Sequence, residues 1–173
     1  SEAGPVMREE LENCRKIRDE FNSGVLVLGG EKPSDLIGII ESKIESVSKV
    51  LLGGVPGEVA LMAHGIDLGE KTEWITERGL DRKREELLEL MNEYPEKFEL
   101  PSDFATEDGD KRPEEVQEMT WDLGKESSER YAEIIEEAGS VLMKGPMGAF
   151  EQHPEGTEKV LEALKNCDGF TVM

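Results

Sequence analysis

Residues 25–30 read Val25-Leu26-Val27-Leu28-Gly29-Gly30, and this short run decides the fold. Four consecutive Val and Leu residues leave no polar face, and a glycine pair closes them. A strand of that kind is buried on both sides, as in a parallel sheet covered by helices above and below. Working outward, the same unit recurs. Val47 to Leu52 is the next predicted strand, again closed by a glycine pair, Gly53-Gly54. Ser140 to Lys144 is another strand, followed by Gly145 and Gly148. Phe98 to Ala105, Met119 to Leu123 and residues 169–173 are further predicted strands.

Amphipathic stretches fill the gaps. Residues 5–22 predict a helix with Val6, Leu11, Cys14, Ile17 and Phe21 on one face and Gly24 just past its end. The next helix carries Leu36, Ile39, Ile40 and Ile44, with Ser34 or Asp35 as its cap. Others are expected over about 57–64, 79–93, 125–137 and 156–166. Leu80, Leu87, Leu88 and Met91 face inward in the second of these, and Tyr131, Ile134 and Ile135 in the third. Residues 107–113 form a polar loop or hairpin tip. Repeated strand–helix alternation predicts an α/β fold, a Rossmann-like three-layer sandwich with a mainly parallel sheet of about six strands. Right-handed crossovers then align the strands' carboxyl ends along one edge, where such folds bind ligands.

Composition narrows the function classes. The chain has 173 residues, which suits one domain, and 40 acidic against 20 basic residues give a formal charge of −20. A field of that sign repels nucleic acid and anionic membrane, so neither is an expected partner. The acidic surface has two readings, an ordinary solvated face or adaptation to a salt-rich cytoplasm. No apolar stretch approaches the roughly 20 residues that span a bilayer, and no secretory leader pattern opens the sequence. The expectation is a soluble cytoplasmic protein. Cys14 and Cys167 form no CxxC and read as free thiols. His64 and His153 have no partner at metal-ligand spacing.

Three predicted strand ends carry glycines: Gly29-Gly30, Gly53-Gly54, and Gly145 with Gly148. Any one pair can serve only a tight strand-to-helix turn. Glycine also lets a backbone approach a ligand and exposes N–H groups, and three pairs on one edge point to a nucleotide cleft. The pattern is neither GxGxxG nor GxxxxGK[ST], so the dinucleotide fingerprint and the P-loop are both excluded. Lys32 lies two residues past the first pair, where it can reach an anion held over the strand's end.

At this point a resemblance becomes specific. The stretch VLVLGGEKPSD over 25–35 resembles the first strand and phosphate loop (LGGAKVSD) of the C-terminal domain of the phosphoglycerate kinase family. DLGKESSERYAE over 122–133 is similar to that family's DxGPES…YAE, and VLMKGPMGAFE over 141–151 to its VWNGPxGVFE. Gly156-Thr157 matches its GT before a helix. Ala3 to Met7 with Glu10-Leu11 resembles the stretch entering the helix that joins the family's two halves. The segments occur in the family's order across essentially the whole chain. With the acidic bias, the reduced lysine content and Lys144, the resemblance points to an archaeal or halophile-like member as the expected branch.

The resemblance implies reversible phosphoryl transfer from 1,3-bisphosphoglycerate to ADP, giving 3-phosphoglycerate and ATP, with Mg2+. It implies that Lys32 contacts the transferring phosphoryl group. Gly30, Gly53 and Gly54 would line the adenine slot, with Thr120 and Trp121 at its next wall. Pro146, Ala149 and Glu151 would touch ribose and adenine, Glu151 accepting from the ribose hydroxyls. Gly29, Lys144, Gly145 and Gly148 complete the implied nucleotide-binding set. Several positions depart from the pattern: Glu31 replaces alanine, Leu36 a second phosphate-contacting lysine, Lys144 an asparagine, Lys125 a proline, and Val55 breaks a glycine triplet. Residues 1–23 then read as an interdomain linking helix and 24–173 as the nucleotide-binding domain without its final GGGD segment, which carries the family's Mg2+-binding aspartate. The phosphoglycerate-binding half is expected elsewhere, in a monomeric full-length enzyme, and the chain alone is expected to be inactive. A stand-alone nucleotide-binding or regulatory module with the same fold is the alternative.

Overall fold

A computed structural model describes residues 24–149, 154–167 and 169–172. Its main sheet contains β1 (Val25–Leu28), β2 (Lys49–Leu52), β3 (Phe98–Glu99), β7 (Val141–Lys144) and β8 (Phe170–Val172). All pairings are parallel, in the order β3-β2-β1-β7-β8. A second, antiparallel sheet has the order β5-β4-β6, from β4 (Phe104–Thr106), β5 (Gly109–Lys111) and β6 (Thr120–Leu123).

The period-2 geometry of a strand sorts β1 between two cores. Leu26 and Leu28 join Val50, Leu52 and Leu142 on one face. That face is covered by α1 (Ile37–Lys43), α2 (Gly54–Ala63), α3 (Glu70–Glu77) and α4 (Arg84–Glu93). Val25 and Val27 join Leu51, Val141 and Met143 on the other, under α5 (Lys125–Glu137) and α6 (Glu155–Lys165). Every residue of β1 is at most 2% exposed. Burying one such side chain contributes about 1.5–3 kcal/mol, so a run with no polar residue is placed where both its faces are covered. The three-layer α/β sandwich expected from the sequence is the observed architecture.

Several elements differ from the expectation. Phe98 to Ala105 is not one strand, because the ladder ends at Glu99. Pro101 follows, has no N–H to give a neighbour, and is buried at the corner where the chain leaves the sheet. β6 pairs with β4 instead of joining the parallel sheet, so that sheet has five strands among the described residues, not about six. Residues 79–93 are helical only from Arg84, and α3 precedes them unannounced. Only Lys71 and Ile75 of α3 are buried, too few to give an apolar period. Ser34 and Asp35 lie within a 3-10 turn, Pro33–Asp35, and no side chain caps α1. Helix α5 has the expected bounds, and β5 with β4 forms the expected hairpin. The linking helix assigned to 1–23 lies outside the described residues.

Helix α5 begins after Gly124, which has no side chain to cap it. Its orphan donors are satisfied from the neighbouring sheet. Buried Asp103 accepts from Ser127 N at 2.8 Å and Glu126 N at 3.0 Å, and Asp110 accepts from Lys125 N at 2.8 Å. A side chain at Gly124 would overlap the Asp103 carboxylate. Asp122 does the same for α6, accepting from Thr157 N at 2.8 Å and from the Thr157 hydroxyl at 3.0 Å. Burial raises the Asp122 pKa, against the opposing pull of these hydrogen bonds. Both helices are thereby tied to the antiparallel sheet, which forms one wall of the cleft below. Among the described residues no helix is long and apolar enough to cross a membrane.

Candidate functional site

From β1 the chain moves outward to β2 and β3; from β7 it moves the other way to β8. The order therefore reverses between β1 and β7, and the crevice beyond their carboxyl ends is where such sheets bind ligands. Leu28 and Lys144 are register partners at that point. A cleft of about 870 Å³ opens there. Of the residues singled out in the sequence, Gly29, Gly30, Lys32, Thr120, Trp121, Lys144, Gly145, Pro146, Gly148 and Ala149 line it. Gly53 and Gly54 do not; they lie where the loops after β2 and β7 meet. Glu151 is outside the described residues.

The glycines first of all let three loops interlock. A Cβ at Gly29 would overlap the Pro146 carbonyl, and one at Gly53 the Met147 sulfur. Gly145 has φ +80°, and a Cβ there would sit 2.6 Å from the Gly29 carbonyl. Backbone bonds complete the knot: Gly30 N donates to Pro146 O at 2.8 Å, Gly54 N to Met147 O at 2.8 Å, and Val55 N to Gly30 O at 3.0 Å. These N–H groups are thus engaged within the protein, not presented to an anion as the sequence suggested. Gly30 is the exception in shape, since a Cβ there would meet only Gly145 Cα, at 3.8 Å. Attraction for an anion falls instead to Lys32, exposed just past β1, and Lys144, half-buried at the end of β7. Glu31 and Asp35 line the same cleft, so the field around Lys32 is mixed.

The sequence reading missed a second polar group in the wall. Glu58, on the first turns of α2, accepts from the Thr120 hydroxyl at 3.1 Å. Its other oxygen, Oε2, is 3.7 Å from Lys71 Nζ on α3. The Lys71 ammonium lies 4.3 Å from the Trp74 ring centre, and the Arg78 guanidinium 4.2 Å from it. Glu58, Lys71, Trp74 and Met119 all line the cleft. One signal was available: Glu58 is a single acid inside GVPGEVALMA, a helix otherwise buried nearly throughout.

Burial pushes the Glu58 carboxyl up to about 7, against the lowering effects of Lys71 and the Thr120 hydrogen bond. A raised carboxyl favours the protonated folded state. The stability it contributes is full below about 4.5 and is lost as pH rises through about 7. Glu58→Gln removes the titration. Relative to the wild type, its thermal midpoint should rise from pH 5 to pH 8, by the equivalent of up to about 3 kcal/mol. Midpoints of both proteins across that range check this; a constant difference would mean that Glu58 titrates normally.

Comparison with known proteins agrees with the architecture. The family model described as phosphoglycerate kinase matches residues 1–173. The phosphoglycerate kinase of Methanopyrus kandleri is 36% identical, covering 98% of this chain and 45% of that protein. That of Halorubrum lacusprofundi is 34% identical, covering 99% of this chain and 46% of that protein. The crystal structure of phosphoglycerate kinase from Pyrococcus horikoshii OT3 superposes with a TM-score of 0.82 at 27% identity, covering 98% of this chain and 46% of that one. The chain thus spans about half the length of the relatives it matches. With the parallel sheet, the cleft at its switch point and a match along the full sequence, the chain belongs to the phosphoglycerate kinase family.

Proposed function

We infer that this chain is the nucleotide-binding half of a phosphoglycerate kinase, a cytoplasmic and monomeric enzyme of glycolysis and gluconeogenesis. With the phosphoglycerate-binding half it transfers a phosphoryl group from 1,3-bisphosphoglycerate to ADP, reversibly, giving 3-phosphoglycerate and ATP. The observation that carries this reading is the cleft at the β1/β7 switch point with Lys32 and Lys144 at its rim. Phosphoryl transfer is catalysed chiefly by positioning and by charge placed against the equatorial oxygens. In the reaction a β-phosphate oxygen of ADP bonds to phosphorus as the acyl phosphate P–O bond breaks. Lys32 supplies a cation to the group in transit, and Lys144 holds the nucleotide's phosphates. Apolar and aromatic wall residues, Trp121 and Ala149 among them, exclude water from the base and ribose.

The family implies Mg2+ as the charge-neutralising ion on the nucleotide. The described residues contain no group of three His, Cys, Asp or Glu side chains able to hold a metal ion, so none is assigned to it.

A second reading, a nucleotide-binding regulatory module, is favoured by one observation: Glu31, where the family has alanine, places a carboxylate in the cleft beside the proposed catalytic cation. A coupled assay of the full-length protein with 1,3-bisphosphoglycerate separates the two. ADP-dependent ATP formation is expected; ADP binding without turnover would favour the module; absence of ADP binding would overturn both. Residues 1–173 alone are expected to bind ADP without turning over.

A further inference from the structure

Resting on the nucleotide reading above, the buried polar group in the cleft wall identifies what recognises the base. Placing a carboxylate and an ammonium in a protein interior costs several kcal/mol per ion before their attraction is counted. An apolar pair of similar size would fill the same space without that cost. The pair here is also incompletely satisfied. Glu58 is 5% exposed, and its Oε1 accepts from Thr120. Its Oε2 has no hydrogen-bond donor among the described residues, because Lys71 Nζ at 3.7 Å attracts it from beyond hydrogen-bond distance. Lys71 is itself 8% exposed, set against the Trp74 ring. A buried acceptor without a donor is a large local penalty unless a ligand completes it.

The surroundings fit a flat heteroaromatic ring. Leu36, Val55, Met119, Trp74 and Trp121 line the cleft with these two charges. Lys32 and Lys144, over the ends of the central strands, suit phosphates; Glu58 and Lys71 offer one acceptor and one donor side by side. We propose that Glu58 and Lys71 read the hydrogen-bonding edge of the nucleotide's base, Glu58 Oε2 accepting an N–H of that edge and Lys71 donating to the acceptor beside it. The 6-amino group and neighbouring ring nitrogen of adenine form such a pair. A base with no N–H on that edge leaves Oε2 unpaired, and sites built around a polar contact reject analogues that lack it.

The test compares ADP with purine riboside 5′-diphosphate, which lacks only the 6-amino group, by calorimetry on the full-length protein at about pH 8, above the raised Glu58 titration, where the group is a carboxylate. ADP should bind roughly tenfold tighter or more, the effect of one hydrogen bond to a charged group. In the double variant Glu58→Met/Lys71→Met, which leaves no lone buried charge, the two nucleotides should bind within about twofold of each other. Affinity for inorganic tripolyphosphate should be unchanged, since Lys32 and Lys144 remain. Equal binding of the two nucleotides to the wild type overturns the proposal, and this comparison stands even if the double variant does not fold. Full discrimination retained by a folded double variant overturns it too. If tripolyphosphate binds and neither nucleotide does, the nucleotide reading itself is overturned, and the proposal with it.

Discussion

Replacing Lys32 by alanine in the full-length protein should lower kcat by roughly 10³-fold while changing the KM for nucleotide little. The expectation follows from place and chemistry. Lys32 lies just past β1 and Lys144 at the end of β7, the two strands that flank the switch point, and both line the cleft. Charge on a phosphoryl group redistributes as it moves between oxygens, so a cation aimed at it helps the transition state more than the bound substrate. Lys144→Ala should behave differently, mainly raising the KM for ADP, because on the proposed reading it holds the nucleotide's phosphates in the bound substrate and the transition state alike. Steady-state kinetics on the two variants separate these roles. A near-normal kcat for Lys32→Ala with loss of turnover for Lys144→Ala would move the catalytic charge to the loop after β7.

The other large effect is expected at Gly145. Alanine there must adopt φ near +80° and place its Cβ 2.6 Å from the Gly29 carbonyl. The left-handed backbone costs about 1–2 kcal/mol, and the overlap typically about 1–3 kcal/mol more. A loss of about 3 kcal/mol lowers the thermal midpoint of a domain this size by roughly 6–12 °C. Binding of ADP should weaken as well, since relief of the overlap separates the loops after β1 and β7 that frame the cleft. Gly139→Ala is the control: no atom lies within 4 Å of its added Cβ, and the change should stay within about 0.5 kcal/mol. Equal midpoints for the two variants would show that the loop junction tolerates a side chain.

Much of this protein was legible along the chain because the signals were local. Val25 to Leu28 has no polar residue, so a strand buried on both faces followed directly, and with it a parallel sheet between helix layers. The glycines closing β1, β2 and β7 marked the edge that holds the cleft, and Lys32 was visible beside the first of them. Helix α5 was bounded correctly because Tyr131 and Ile135 repeat at helical spacing on a strongly polar background. Pairing, in contrast, is a property of two segments at once. Nothing within Thr120 to Leu123 states that its partner is antiparallel β4, and nothing within Phe98 to Ala105 states that the ladder stops before Pro101. The glycine N–H groups looked available to an anion until the folded loops brought the Pro146 and Met147 carbonyls against those of Gly30 and Gly54. Glu58, Lys71 and Thr120 are separated by 13 and 49 residues in sequence, and only the packing of α2, α3 and β6 brings them into one buried cluster. Sequence settled which segments are apolar on which side; tertiary structure settled which polar groups meet, because a hydrogen bond or ion pair depends on distance in space and not on periodicity along the chain.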